Sequence, residues 1–285
     1  MYRNRLVTLS LLVVFLLAFL HLITYFLPSG GATEDFNNIP EFFVEAIRYR
    51  NETNYILDRA GRGLEPENYT ISEIHSKCTY ISKVISEFRE TLREGDLAEK
   101  LRKASISYEK AAESAALTAN SSRIIALAFK KTEKALTLAA SCEIDASLDV
   151  WKEAEPIVLE AIAELESMYN ILEEDNSDYL LSEKHVEIYD RAVELTSKLL
   201  SSLREAYKTM ELVEEYSAEL KELCKGGVPC GKLKTAAIGL NPGAGGRFGY
   251  LIASIKSKIL SYGARGNGGN GVGGGAGYTP PSSDD

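Results

Sequence analysis

Side chains that could do chemistry are few, with three histidines and four cysteines in 285 residues. A di-metal carboxylate centre in a helical bundle needs Glu-x-x-His pairs on facing helices. Ser72 stands three before His75 and Ser182 three before His185, so that pattern is absent. His75 and Cys78 could share a zinc ion from one helix face, but no two further ligands stand at a suitable spacing, and Cys78 belongs to an apolar seam. No metal ligand is assigned. Gly243-Ala244-Gly245-Gly246-Arg247-Phe248-Gly249 precedes an amphipathic stretch, and the free N–H groups of a helix start attract phosphate. Phe248 nevertheless takes the third glycine position of the dinucleotide pattern, and no Gly-Lys-Ser/Thr occurs, so a hinge is the better reading and no cofactor is expected. A Gly-x-Ser-x-Gly elbow is missing too, and glutamates cover the polar faces, where solvation is their ordinary role. No catalytic residue is named, and the chain reads as something other than an enzyme.

The cysteines carry more. Cys224-Lys225-Gly226-Gly227-Val228-Pro229-Cys230 is a short loop that closes easily on itself, so the expected disulfide joins Cys224 to Cys230. In the loop-closure account so small a ring contributes about 2 kcal/mol. In an up-and-down bundle Cys78 lies about 24 Å below the top of its helix by the rise per residue. Cys142 lies at the far end of the next helix, so Cys78 is expected to remain a buried thiol.

These residues must be positioned by a chain that opens in a membrane. Residues 6–27, from Leu6 to Leu27, read LVTLSLLVVFLLAFLHLITYFL, 22 residues with no Asp, Glu, Lys or Arg. A helix of that length crosses a hydrocarbon core of about 30 Å. Arg3 and Arg5 precede the run while Glu34 and Asp35 follow it, which keeps the N-terminus cytoplasmic and exports the rest. The expected localisation is a single-pass cell-membrane anchor with the lipid bilayer as partner. Cleavage near Gly30-Gly31-Ala32, giving a secreted form, is the competing reading. His21 inside the run can snorkel toward the interface and needs no functional role.

A formal charge of −9 argues against a nucleic-acid partner, which calls for clustered basic residues. The absence of Gln, with three Met and abundant Glu and Lys, matches chains that avoid thermolabile residues, and suggests a thermophilic source. Three acceptor triplets, at Asn51, Asn68 and Asn120, suit glycosylation of an exported surface, although triplets of this kind also arise by chance.

Beyond a polar neck the apolar positions recur with helical period. Pro40 suits the first turn of a helix that reaches Ala60, where Gly61 and Gly63 stop it. Thr70 and Glu73 form a capping box for a second helix. In it Ile71, Ile74, Cys78, Ile81, Ile85, Phe88 and Leu92 are spaced 3, 4, 3, 4, 3, 4, the mark of a supercoiled partner. A long helix over 96–142 follows, bending near Asn120 if anywhere. The next is capped by Asp145 or Ser147 and kinks or begins at Pro156, and the last long one runs over 182–224. Phe248, Leu251, Ile252, Ile255 and Ile259 make a final amphipathic helix that should dock on the bundle. Nine glycines among residues 263–277 leave a tail without enough apolar surface to order itself.

The fold class expected is therefore all-α, a transmembrane helix followed by an extracytoplasmic antiparallel bundle of long helices with coiled-coil-like seams. Its divisions fall at 1–32, 33–225, 226–262 and 263–285. The function expected is a membrane-anchored structural or interaction module, self-association through leftover seam included. The alternative is a sensory or solute-binding bundle with a pocket lined by Tyr108, Tyr189 and Tyr207. A signalling receptor would also need a cytoplasmic output domain, for which about five residues ahead of the span leave no room.

Overall fold

The computed structural model describes residues 39–173, 177–225 and 248–266. Residues 6–27, the glycine-rich connector with Cys230, and the tail beyond Gly266 lie outside them. The described residues form seven α-helices and no strand: α1 (Glu41–Gly61), α2 (Asn68–Thr91), α3 (Asp96–Ala140), α4 (Ile144–Glu173), α5 (Glu183–Glu215), α6 (Ser217–Lys225) and α7 (Gly249–Gly266). A 3-10 turn, Ser177–Tyr179, precedes α5. None of these helices is long and apolar enough to cross a membrane.

Most boundaries follow the sequence pattern, and the exceptions have local causes. Pro40 stands just before α1, with its carbonyl accepting from the Phe43 and Val44 amides. Gly63, at φ 71, closes that helix as Gly63 N–H bonds Ala60 and Leu64 N–H bonds Arg59. The capping box at Thr70 and Glu73 does not form, because α2 already begins at Asn68 and Glu73 instead binds Lys77 at 2.5 Å, one turn on. Pro156 lies within α4 rather than at its start. Ser147 caps nothing; its hydroxyl reaches across to the Ala135 carbonyl of α3 at 2.7 Å. The last long helix divides at Tyr216 into α5 and α6, and α7 runs to Gly266, four residues into the expected tail.

Everything is arranged along α3, whose 45 residues extend about 67 Å. Ion pairs and hydrogen bonds give the directions. Arg89 of α2 meets Glu109 and Arg102 of α3 reaches the Leu92 carbonyl, so α2 and α3 form an antiparallel hairpin. Lys131 binds Glu153 and Ser121 binds Glu164, so α4 returns antiparallel to α3. Tyr189 of α5 bonds the Leu172 carbonyl and Arg204 bonds Glu166, so α5 runs back along α4. α1 lies parallel to α3, with Phe43 stacked on Tyr108 and Arg50 bonded to Ser114 and Thr118. α7 is parallel to it as well, from Phe248 against Phe129 to Lys258 on the Ala140 carbonyl. α1 and α7 thus fill successive lengths of one groove between α3 and α5.

Two apolar clusters result, and α3 belongs to both. One joins α1 and α2 to the first half of α3 and the adjoining ends of α4 and α5; the other joins the second half of α3 to α4, α5, α6 and α7. Small residues permit the close packing, since Ala111, Ala112, Ala115, Ala116 and Ala119 are all buried. The polar patch around Asn120 neither breaks nor opens the helix. Thr118 and Ser122 are buried with their hydroxyls returned to the Ser114 and Ala119 carbonyls, while Asn120 itself faces solvent. At Gly61 the missing side chain admits Leu199 of α5, which a Cβ there would strike.

The seam of α2 makes a direct test. Ile81 is 3% exposed within it, so Ile81→Asp would bury a carboxylate with no partner and lower stability by on the order of 3 kcal/mol or more. Thermal unfolding unchanged from the natural chain would show that this face is free for a partner.

Candidate functional site

The cysteines pair otherwise than the loop argument expects. Cys142 is joined to Cys224, with Cα atoms 5.7 Å apart across a separation of 82 residues. A sulfur forms one such bond, so Cys224 cannot also hold Cys230, and the Cys224 to Cys230 ring is corrected to this longer one. The reason lies in the helix order: α3 descends to Ala140, α4 climbs, and α5 with α6 descends again, which brings both cysteines to one end. In the loop-closure account a ring of this length contributes about 4.5 kcal/mol, roughly twice the small ring. Cys78 is a free buried thiol, as expected.

The polar interior centres on Arg50, a residue that the sequence pattern does not single out. Its side chain is wholly buried in the cluster around α1. Nε donates to Asn54 Oδ1, and Nη1 donates to Ser114 Oγ and Thr118 Oγ1, each at 3.1 Å. Nη2 has no partner. Asn54 passes the network on, donating from Nδ2 to the Ile188 carbonyl of α5 at 3.0 Å. Among the described residues no carboxylate is paired with it: burial pushes the guanidinium down to about 10, opposed by Cys78 and Tyr189. That corresponds to on the order of 3 kcal/mol against the charged form, present at every pH below about 10. Burial likewise pushes the Cys78 thiol up to about 12 against the nearby Arg50 cation, so the thiol stays protonated and inert.

A second polar knot lies where the turn after α4 meets α3. Tyr108 Oη accepts from the Leu181 amide at 3.1 Å and lies 2.7 Å from His185 Nδ1. Burial raises the phenol to about 12, so it keeps its proton, and burial also holds His185 below its usual value. Phe43 stacks on the same phenol at 4.3 Å between ring centroids. The three tyrosines expected around a pocket therefore have other work. Tyr108 and Tyr189 are core, and half-buried Tyr207 donates to Glu155 at 3.1 Å.

An open groove of about 750 Å³ does exist between α4 and α5, walled by Tyr169, Asn170, Ser197 and Ser201. Four of its charges are matched in pairs, Arg204 with Glu166 at 2.6 Å and Lys256 with Glu205 at 3.2 Å, while Lys208 lines it as a fifth. Each partner is substantially exposed, and such pairs contribute little. For metal, His75 turns Nδ1 to the Ala116 carbonyl at 3.1 Å while Cys78 is sealed in the core. No group of three ligands converges among the described residues. Of the glycosylation acceptors, Asn51 and Asn120 face solvent on α1 and α3, and Asn68 opens α2.

The arrangement can hold helices in register. Compared with protein-family models, with curated proteins and with solved structures, the chain matches none.

Two measurements follow from these knots. Replacing an uncompensated buried cation by an unbranched apolar side chain removes its desolvation cost, so Arg50→Met should raise stability by about 1–3 kcal/mol, read as a higher denaturant midpoint. A lowered midpoint would show that the hydrogen bonds outweigh the charge. His185 is held below its usual value, first by burial and then by Lys184, so the unfolded chain takes up that proton first. The stabilisation is complete above about pH 6.5 and is lost as the pH falls through the folded value. His185→Asn should flatten the fall in melting temperature between about pH 7 and about pH 5; an equally steep curve would remove His185 from the account.

Proposed function

We propose that this chain is a structural or interaction module, held at the outer face of a membrane by residues 6–27 and presenting a rigid helical body to its surroundings. The observation that carries the reading is the continuity of the packing. Both clusters share α3, and the seams of α3, α4 and α5 are buried at successive turns from Tyr108 to Ala139, Trp151 to Leu172 and Tyr189 to Val213. What polar chemistry the interior has is spent on fixing helix positions. The Cys142 to Cys224 bridge supports the exported location, since such bonds persist chiefly in oxidising compartments. Exposed apolar residues, among them Tyr55, Tyr80, Ile106, Leu159 and Leu260, are spread over five helices and offer small contact points. A solute-binding role in the outer groove would require a ligand to compete with two existing ion pairs beside Lys208.

Topology can be tested on intact cells. Protease added outside should digest the helical body while the full-length form sediments with membranes. A soluble form beginning near Thr33 would overturn the anchor, and protection until lysis would overturn the outward orientation.

A further inference from the structure

The bridge between Cys142 and Cys224 has two unlike ends. Cys142 stands at φ 69, the left-handed region, where the Cys142 amide bonds Ala139 and the Glu143 amide bonds Leu138. This is the Schellman closure of a helix, at whose key position glycine is usual. From α7, Lys258 brings Nζ within 3.6 Å of Cys142 Sγ while donating to the Ala140 carbonyl at 2.6 Å. Two residues further on α4 begins, and its free N–H groups add positive potential. The C-terminal carbonyls of α3 oppose this, but Lys258 sits on one of them. Cys224, by contrast, lies in the last turn of α6, the negative end of its helix, where the neighbouring Lys225 and Lys221 are paired with Glu222 and Asp145 rather than with the sulfur. Both cysteines are half-buried rather than sealed in the core.

We propose that this bridge is a redox-sensitive clasp, in which an external thiol attacks Cys224 and Cys142 departs as the thiolate held by Lys258. In the first step the attacking thiolate forms a bond to Cys224 Sγ, the Cys142 to Cys224 bond breaks, and its electron pair leaves on Cys142 Sγ. In the second a further thiol takes the place of Cys224, completing the two-electron reduction at the expense of a dithiol or two monothiols. The reduced clasp frees α6 from the corner between α3 and α4. Lys221 to Asp145, at 2.5 Å, remains as an exposed ion pair across that gap, and with Leu220 as the one buried side chain of α6 it holds that helix weakly. α7 packs on α6, so the two C-terminal helices loosen while α3 to α5 keep their seams.

The test uses the full chain in detergent with Cys230→Ser, so that the two bridge sulfurs give an unambiguous readout. Native protein is exposed to glutathione, quenched with N-ethylmaleimide and mapped by mass. Glutathione should appear on Cys224 and maleimide on Cys142. Lys258→Met should slow the reaction roughly three- to tenfold and even out the two sites, while Lys258→Arg should preserve both rate and preference. Glutathione on Cys142, or equally on both with Lys258 in place, would overturn the assignment. Hydrogen exchange on the natural chain stands apart from these variants. Dithiothreitol should remove protection from 217–225 and 249–260 and leave 96–140 protected. A bridge that resists dithiothreitol until the protein is denatured, or protection that does not change on reduction, would overturn the clasp.

Discussion

A helix about 67 Å long cannot bury its sides against any single neighbour of ordinary length, and this constraint organises the molecule. α2 and α4 each cover a large part of α3. The remaining groove is filled piecewise, by α1 along the half that holds Tyr108 and by α7 along the half that holds Phe129. Because α1 and α7 are far apart in sequence yet share one groove, neither half of the core is local. Stability of the second half requires that the chain come back to it after α6, and the disulfide at that end limits how far α6 can stray before it does.

The interior mixes two ways of fixing helices against one another. Apolar seams supply most of the favourable free energy but tolerate sliding by a heptad, since one Leu or Ala resembles the next. Arg50 does not tolerate it. Its fork fits Ser114 and Thr118 on α3, and its neighbour Asn54 fits one carbonyl on α5, so α1 has one position at which the network closes. An uncompensated charge makes that selectivity costly, as the free Nη2 shows. The Tyr108 knot does similar work at lower cost, because a neutral phenol and a neutral imidazole carry no charge into the core.

Much of this was legible in the residues. The 3, 4 spacing in α2 placed its buried face from Ile71 to Ile85, because a seam with a supercoiled neighbour leaves a periodic record that local structure cannot disguise. Arg50 was legible too, had the stripe of α1 been read without regard to polarity: Phe43, Ala46, Ile47, Arg50, Thr53, Asn54 and Leu57 continue one face, and the gap in apolar residues there is filled by buried polar ones. The disulfide was missed for a different reason. Loop composition around Cys224 and Cys230 favours a short ring, whereas the up-and-down order already implied by the helix lengths brings Cys142 and Cys224 to one end. Topology outweighs loop closure once the helices are packed. The capping motif at Thr70 failed because a competing partner, Lys77, was one turn away.

The left-handed turn at Cys142 bears on the ancestry of the bridge. Glycine closes such a turn without hindrance, while any side chain there costs about 1 kcal/mol. A cysteine at 142 is therefore a disadvantage in a lineage that lacks one at 224, whereas a cysteine at 224, half-buried at the end of a short helix, is nearly neutral by itself. The easier historical route installs position 224 first and recruits 142 afterwards. Once joined, the pair is hard to dismantle one member at a time, and a chain that loses the cysteine at 224 gains by placing glycine at 142.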